Sequence, residues 1–130
     1  MVDSKERQPL SEAQLEIMNV VWSRGEVTVT EVWKVLCKSR KVARNTVQTL
    51  ITRLEEKGWL KHMEEGNRFL YSAVPKKSKV LGQMVSQLVE TAFEGSAEDL
   101  MLALLDSRGI SGEEAQQIRR MIEKAEEEES

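Results

Sequence analysis

Apolar residues recur every three or four positions through the first part of the chain, a spacing that predicts amphipathic helices. We expect a first helix over 11–24, a second over 29–38 and a third over 43–58. Ser11 and Thr28 each stand three residues before a glutamine or a glutamate, so both have the spacing of a capping box at a helix start. A short polar stretch before the third helix indicates a turn, so the second and third helices are expected to form a helix-turn-helix unit.

The third helix has one apolar face and one polar face. Its core stripe consists of Val47, Leu50, Ile51 and Leu54. The other side and its flanks carry groups that can hydrogen-bond to base edges, with one arginine: Asn45, Gln48, Thr49, Thr52 and Arg53. Three cations lie at the start, placed for phosphate contacts: Arg40, Lys41 and Arg44. The pattern predicts a recognition helix in the major groove, although an ordinary amphipathic helix with a solvated face has the same pattern.

Two short runs with aromatic and β-branched residues follow, over 59–63 and 68–74. The four residues between them include a glycine that suits positive φ, so the runs are expected to pair as a β-hairpin. Three helices and then a hairpin is the order of a winged helix. Lys61, His62 and Arg68 lie on or beside this wing, within reach of phosphate or the minor groove, although a plain surface position is the favoured interpretation for His62.

From about residue 76 the chain is expected to form three short helices with more apolar surface than they can bury. The first has an apolar stripe from 80 to 93, and the second is apolar at nearly every position over 100–105, so it should be buried on most sides. A second copy of the chain, related by two-fold symmetry, is the expected cover. The predicted dimer contacts are Val80, Leu81, Met84, Val85, Leu88, Val89, Leu100, Met101, Leu104, Leu105, Ile118 and Ile122. The predicted fold is mostly α with a small β-hairpin wing: a winged helix-turn-helix DNA-binding domain over 1–75 and a helical dimerisation domain over 76–130.

Charge is distributed unevenly along the chain, whose formal net charge is -3. Residues up to Lys79 contain fifteen Lys and Arg against ten Asp and Glu, a net of +5. The remainder contains four against twelve, a net of -8. A basic first part suits contact with DNA phosphates, but charge alone leaves nucleic-acid binding and simple solubility as equal alternatives.

Few residues are suited to catalysis or metal binding. The chain has one cysteine, Cys37, and one histidine, His62, so we expect no internal disulfide, metal site, cofactor or enzyme activity. Cys37 lies beside apolar residues and is expected to be packed rather than to act as a redox sensor. No apolar run approaches the roughly 18 residues of a membrane span. The first residues are charged where a signal peptide would be apolar, so we expect a cytoplasmic protein without membrane contact.

Several stretches carry a more specific pattern: Leu10-Ser11-Glu12-Ala13, Val21-Trp22, Thr28-x-x-Glu31-Val32 and, above all, Asn45-Thr46-Val47-Gln48-Thr49-Leu50-Ile51-Thr52-Arg53-Leu54-x-x-Lys57-Gly58. In these residues the chain resembles the penicillinase repressors, the BlaI/MecI/CopY family, from Leu10 to the last helix. The resemblance implies a bacterial transcriptional repressor that binds double-stranded DNA as a homodimer, on a palindromic operator with TACA and TGTA half-sites. It also implies that bases are read by Asn45, Thr46, Gln48 and Thr49, with Arg53 toward the DNA backbone.

The chain departs from this family at sites of regulation. Where antibiotic-responsive members have an Asn-Phe bond cut by a sensor protease, this chain has Ala103-Leu104, and it lacks the C-terminal cysteine pairs of copper-responsive members. Ala43 stands where members tend to have a Ser or Thr N-cap, so the cap hydrogen bond is expected from elsewhere. The inducing signal and any upstream sensor or protease stay open. The alternative to a repressor is a winged-helix protein-interaction module without specific DNA binding, which would need apolar anchors on the polar face of the third helix.

Overall fold

The computed structural model describes residues 9–129, which contain six helices and a two-stranded antiparallel sheet. The elements are α1 (Glu12–Arg24), α2 (Val29–Leu36), α3 (Arg44–Glu56), β1 (Leu60–Glu65), β2 (Arg68–Ala73), α4 (Lys77–Ala92), α5 (Ala97–Ser107) and α6 (Gly112–Glu129). The predicted fold class, mostly α with three helices followed by a hairpin wing, is confirmed. By its contacts the chain divides into two compact units, the first ending at Gly82 and the second beginning at Gln83. The first eight residues of the predicted DNA-binding domain lie outside the described residues.

Both predicted capping boxes are present. Ser11 Oγ accepts from the Gln14 N–H at 3.1 Å, and Gln14 Oε1 accepts from the Ser11 N–H at 3.0 Å. Thr28 and Glu31 form the same reciprocal pair at the start of α2, with distances of 3.2 and 2.9 Å. Hydrogen bonds to the Glu31 carboxylate, chiefly from the Thr28 backbone N–H, hold the pKa of Glu31 below its ordinary value. Two helix starts are therefore determined by contacts within four residues of chain.

The end of α2 differs from the prediction. The helix ends at Leu36, earlier than expected, because the chain tightens into a turn in which the Lys38 N–H donates to the Val35 carbonyl at 3.2 Å. Cys37 is the C-cap residue and is exposed, so the expectation that it is packed is wrong. Its Sγ lies 3.5 Å from the Val42 carbonyl oxygen, the geometry of a weak S–H donor in the turn.

The core of the first unit lies between α1, α2, α3 and the hairpin. Its fully buried side chains come from all three helices and from the link between α1 and α2: Ile17, Met18, Val21, Val27, Val32, Val47, Ile51 and Leu54. Val27 pairs with Tyr71 through two backbone hydrogen bonds of 2.9 and 2.7 Å, which attaches this link to β2. The Trp22 indole N–H donates to the Pro75 carbonyl at 3.0 Å. Because α3 packs by its apolar side, its other side lies at the surface.

The hairpin closes through a two-residue turn. Glu65 pairs with Arg68, so Gly66 and Asn67 form the turn, and Gly66 has the expected positive φ of 65°. Because the turn is this short, the two strands pair up to the residues directly beside it, and β1 extends two residues beyond the predicted end. The face of the hairpin that packs on the helices includes Tyr71, which is buried.

The second unit has no buried side chain among its described residues. A single chain leaves the apolar run of α5 partly in solvent, with Leu102 58% exposed and Leu105 48% exposed, so its expected burial would require a second copy. A helix that is apolar nearly all round needs neighbours on every side, and the mostly charged α6 cannot supply them. Within residues 9–129, no helix has both the length and the apolar character that crossing a bilayer requires.

Candidate nucleic-acid interface

The side of α3 that is turned away from the core carries the residues predicted to read bases. Val47, Ile51 and Leu54 are fully buried and Leu50 packs against them, as predicted. The predicted contact residues of this helix are exposed, apart from the half-buried Gln48: Asn45, Thr46, Thr49, Thr52 and Arg53. Their placement is the one that contact with base edges in a groove requires.

Two threonines on this face donate their hydroxyl protons to backbone carbonyls of α3 itself. Thr49 Oγ1 donates to the Asn45 carbonyl at 3.0 Å, and Thr52 Oγ1 donates to the Gln48 carbonyl at 2.9 Å. In this conformation each threonine keeps its acceptor lone pairs and its methyl group but cannot also donate to a base. Among the predicted base-reading residues, the side-chain amides of Asn45 and Gln48 and the hydroxyl of Thr46 keep a donor that could face a base.

The first turn of α3 has no side-chain cap. Ala43 lies at the N-cap position with φ -78° and ψ 144°, and no side chain of the described residues supplies the cap hydrogen bond, contrary to expectation. The Ala43 carbonyl accepts from the Thr46 and Val47 N–H groups at 3.1 and 3.3 Å. Arg44, the first residue of α3, is oriented by the preceding helix, because its Nε donates to Thr30 Oγ1 at 3.1 Å.

The other predicted cations differ in their surroundings. Arg40 forms an ion pair with Glu16 of α1, and this hydrogen bond raises the pKa of the Arg40 guanidinium above its ordinary value. Lys41 is exposed, as are Arg53 near the end of α3 and Lys61 on β1. A DNA phosphate that contacts Arg40 would have to compete with Glu16.

His62 attaches the wing to the last turn of α3. Its Nδ1 lies 2.5 Å from Glu55 Oε2, its ring stacks on Phe69 with centroids 4.2 Å apart, and the Tyr71 ring lies 5.5 Å away. Burial, with the charge of Glu55 nearby, raises the pKa of Tyr71. The interpretation of His62 as a plain surface residue is therefore wrong: its side chain is 29% exposed and lies on the strand face that packs against α3.

An open cleft of about 530 Å³ lies between the first turns of α3 and the wing. Its lining includes Thr30 of α2, Arg44 and Gln48 of α3, and Arg68 and Phe69 of β2. Both arginines were predicted as contact residues, whereas Thr30 and Phe69 were missed. No sequence periodicity connects three segments that meet only in the folded unit. Among residues 9–129, no three His, Cys, Asp or Glu side chains are grouped so as to hold a metal ion.

The predicted dimer contacts fall into three groups. Val80 is 4% exposed and belongs to the core of the first unit, so its surface is already covered within one chain. Six are half-buried: Leu81, Val89, Leu100, Met101, Leu104 and Ile118. Five are exposed by 41% to 52%: Met84, Val85, Leu88, Leu105 and Ile122. The exposed group offers apolar surface that a single chain leaves in water.

Comparison with known proteins gives consistent matches. The sequence model of the penicillinase repressor family matches residues 10–124. The penicillinase repressor of Bacillus licheniformis is 30% identical over 114 residues, which cover 88% of this chain and 89% of that protein. The methicillin resistance regulatory protein MecI of Staphylococcus aureus strain N315 is 22% identical over 115 residues, covering 88% and 94%. The solved structure of a MarR family protein from Bacillus stearothermophilus matches with a TM-score of 0.55 over 93% of this chain and 76% of that chain; at 17% identity it supports the fold alone.

Proposed function

The chain belongs to the penicillinase repressor family, and we propose that it is a sequence-specific transcriptional repressor that binds, as a homodimer, a palindromic operator with TACA and TGTA half-sites. Members of this family are transcriptional repressors rather than enzymes. The proposed place of action is the cytoplasm, where bacterial DNA lies.

The observation that carries the proposal is the exposed polar face of α3, opposite a fully buried stripe. A helix fits the major groove of B-DNA, where each base pair presents its own pattern of donors and acceptors. The amides of Asn45 and Gln48 can pair with such patterns, and the threonine methyl groups can contact thymine methyl groups. The same face offers no apolar anchors of the kind a protein-interaction surface needs, so it favours DNA over the interaction-module alternative.

The cations around α3 support contact with the DNA backbone. Arg40, Lys41 and Arg44 lie at the N-terminal side of the helix, while Lys61 and Arg68 lie on the wing. Contacts from such positions neutralise phosphates and set the register of the helix without reading sequence. Binding should therefore weaken steeply as salt rises.

The dimer is proposed from the second part of the chain. We place DNA binding in residues 1–75 and dimerisation in 76–130, where the exposed apolar side chains of α4, α5 and α6 would be covered by a second copy. A rigid dimer makes binding of the second half-site an intramolecular event, which raises affinity without any new contact. Two-fold symmetry in the protein corresponds to a palindrome in the operator.

The proposal is tested by titrating a labelled duplex that carries a TACA/TGTA dyad beside a scrambled duplex of the same length. We expect the dyad to bind at least about a thousandfold more tightly at physiological salt. Equal affinities would contradict a specific repressor, and no binding of either duplex at low salt would contradict DNA binding altogether.

A further inference from the structure

The cleft between α3 and the wing joins two guanidinium groups from distant parts of the chain. Arg44 comes from the first turn of α3, and Arg68 comes from the start of β2. The residues that line the cleft include no aspartate and no glutamate, so its charge is positive. The planar guanidinium group of an arginine can bind two phosphate oxygens through parallel hydrogen bonds, which a lysine at the same position cannot form.

One wall of the cleft is fixed by the helix-turn-helix unit itself. Thr30 Oγ1 accepts a hydrogen bond from Arg44 Nε at 3.1 Å, although thirteen residues separate the two along the chain. This contact leaves both terminal nitrogens of the guanidinium able to donate to an oxygen outside the protein. Thr30 therefore orients a cation without contacting the anion that the cation would bind.

The other wall is tied to the far end of α3. Phe69, which lines the cleft beside Arg68, stacks on His62 at 4.2 Å, and His62 lies 2.5 Å from Glu55. The wing is thus joined to α3 through the contacts of Phe69 with His62 and of His62 with Glu55. Arg68 forms a loose, exposed ion pair with Glu65 at 3.6 Å, which an incoming phosphate can displace, and its charge also acts on the Glu31 carboxylate in the first turn of α2.

We propose that this cleft seats the sugar–phosphate backbone of one DNA strand, with Arg44 and Arg68 on the same phosphate and Thr30 as a positioning residue for Arg44. The assignment rests on the proposed function and adds to it the phosphate that links helix and wing. A backbone unit fits better than a free inorganic phosphate, because Phe69 and Val29 give the cleft apolar surface that a deoxyribose can cover. Both arginines then fix the register of α3 in the groove.

The shared phosphate is tested by replacing operator phosphates one at a time with neutral methylphosphonates. For the parent protein we expect one position in each half-site where the replacement lowers affinity about tenfold. Arg44→Ala and Arg68→Ala should each bind the unmodified operator more weakly and show no further loss at that same position. Arg119→Ala, a charge-matched control in α6, should keep the parent pattern. Loss of sensitivity at two different phosphates would overturn the shared site.

The role of Thr30 is tested by a double-mutant cycle. Thr30→Val should weaken operator binding about threefold, since a charged hydrogen bond is lost outside the DNA contact itself, whereas Thr30→Ser keeps the hydroxyl and should restore parent affinity. In the Arg44→Ala background Thr30→Val should have no further effect. Additive losses, with both variants melting at the parent temperature, would overturn the positioning role.

Two further outcomes distinguish failure of the cleft assignment from failure of the proposed repressor function. A parent protein that discriminates the operator from a scrambled duplex but has no shared phosphate would overturn the cleft assignment and leave the repressor function standing. A parent that does not discriminate would overturn the proposed function as well. Deoxyadenosine monophosphate, added at constant ionic strength, should not displace the operator at millimolar concentration. Displacement that Arg44→Ala abolishes would assign the cleft to a free nucleotide instead.

Discussion

The two units of the chain differ in how far they bury their apolar side chains. Within residues 9–129 the buried apolar side chains lie between positions 17 and 80, on α1, α2, α3, the hairpin, the links between them and the start of α4, whereas α5 and α6 bury none. Both regions have regular helices, so the difference lies in packing and not in secondary structure. The first unit has a core that one chain completes, and the second presents apolar surface that one chain leaves in water.

Charge follows the same division. The part up to Lys79 has a net charge of +5, and the remainder has -8. Acidic helices gain nothing from a phosphate backbone, so they suit contact with another protein chain, while the basic part suits DNA. Packing and charge together support the proposed division of labour between a DNA-binding unit and an arm that a second copy would complete.

The largest effect is expected from placing a charge in the exposed apolar stripe of α4. Leu88→Glu should separate the dimer and lower operator affinity about a hundredfold or more, because each half would then bind its half-site independently. Sedimentation and operator titration measure the two consequences. Gln83→Glu adds the same charge on the opposite side of α4 and should change neither. A Leu88→Glu protein that still sediments as a dimer would show that this stripe has another role.

A side-chain truncation in each unit tests the division next. Ile51 is fully buried in the first unit, so Ile51→Ala should lower the free energy of unfolding by about 2–5 kcal/mol. Met121 lies in α6 and is 66% exposed, so Met121→Ala should change the free energy of unfolding by less than about 0.5 kcal/mol. All three tryptophans precede residue 60, so their fluorescence during denaturation reports the first unit, and far-ultraviolet circular dichroism reports the helices of both units. Similar losses for both variants would mean that the arm is packed as tightly as the core.

Base reading should be separable from backbone contact within the first unit. Gln48→Ala should relax preference at one position of each half-site, at a cost of about 1–3 kcal/mol for the preferred base. Arg68→Ala should weaken all sequences alike and reduce the salt slope by about one. Selection profiles of both variants measure this difference. If Arg68→Ala changed the preferred sequence and Gln48→Ala did not, the assigned roles of helix and wing would be reversed.

The smallest effect on DNA affinity is expected from breaking the ion pair between Arg40 and Glu16. Glu16→Gln removes the competing carboxylate, so it should strengthen binding of every duplex about two- to fivefold at low salt. Glu26→Gln makes the same charge change at an exposed position on the link before α2. Equal gains for both variants would point to net charge rather than to release of Arg40.

Local features of the fold could be predicted from the sequence. The capping boxes at Ser11 and Thr28 depend on residues three apart, and the buried stripe of α3 depends on helical periodicity alone. The turn glycine of the hairpin is equally local, since Gly66 has a positive φ. Each of these follows from contacts or geometry within one element, so no knowledge of the rest of the structure was needed.

The interface could be predicted only in part, because some of its contacts depend on tertiary structure. Thr30 and Arg44 lie on different helices, and His62 contacts Glu55 only because the hairpin folds back onto α3. The hydrogen-bond partners of the α3 threonine hydroxyls could not be predicted either, since the residue type does not say whether a threonine donates to its own helix or outward. Exposure of Cys37 depended on where α2 ends, which the pattern placed too late.

The division between a DNA-reading unit and a dimerising arm is tested most directly by selecting binding sites from random duplex DNA with the full-length protein. We expect enriched sequences that contain two TACA/TGTA-type half-sites as an inverted repeat at one fixed spacing. Leu88→Glu should enrich the same half-site singly and more weakly. Enrichment of unpaired half-sites by the parent protein, or of no common sequence, would contradict a dimeric repressor that reads a palindrome.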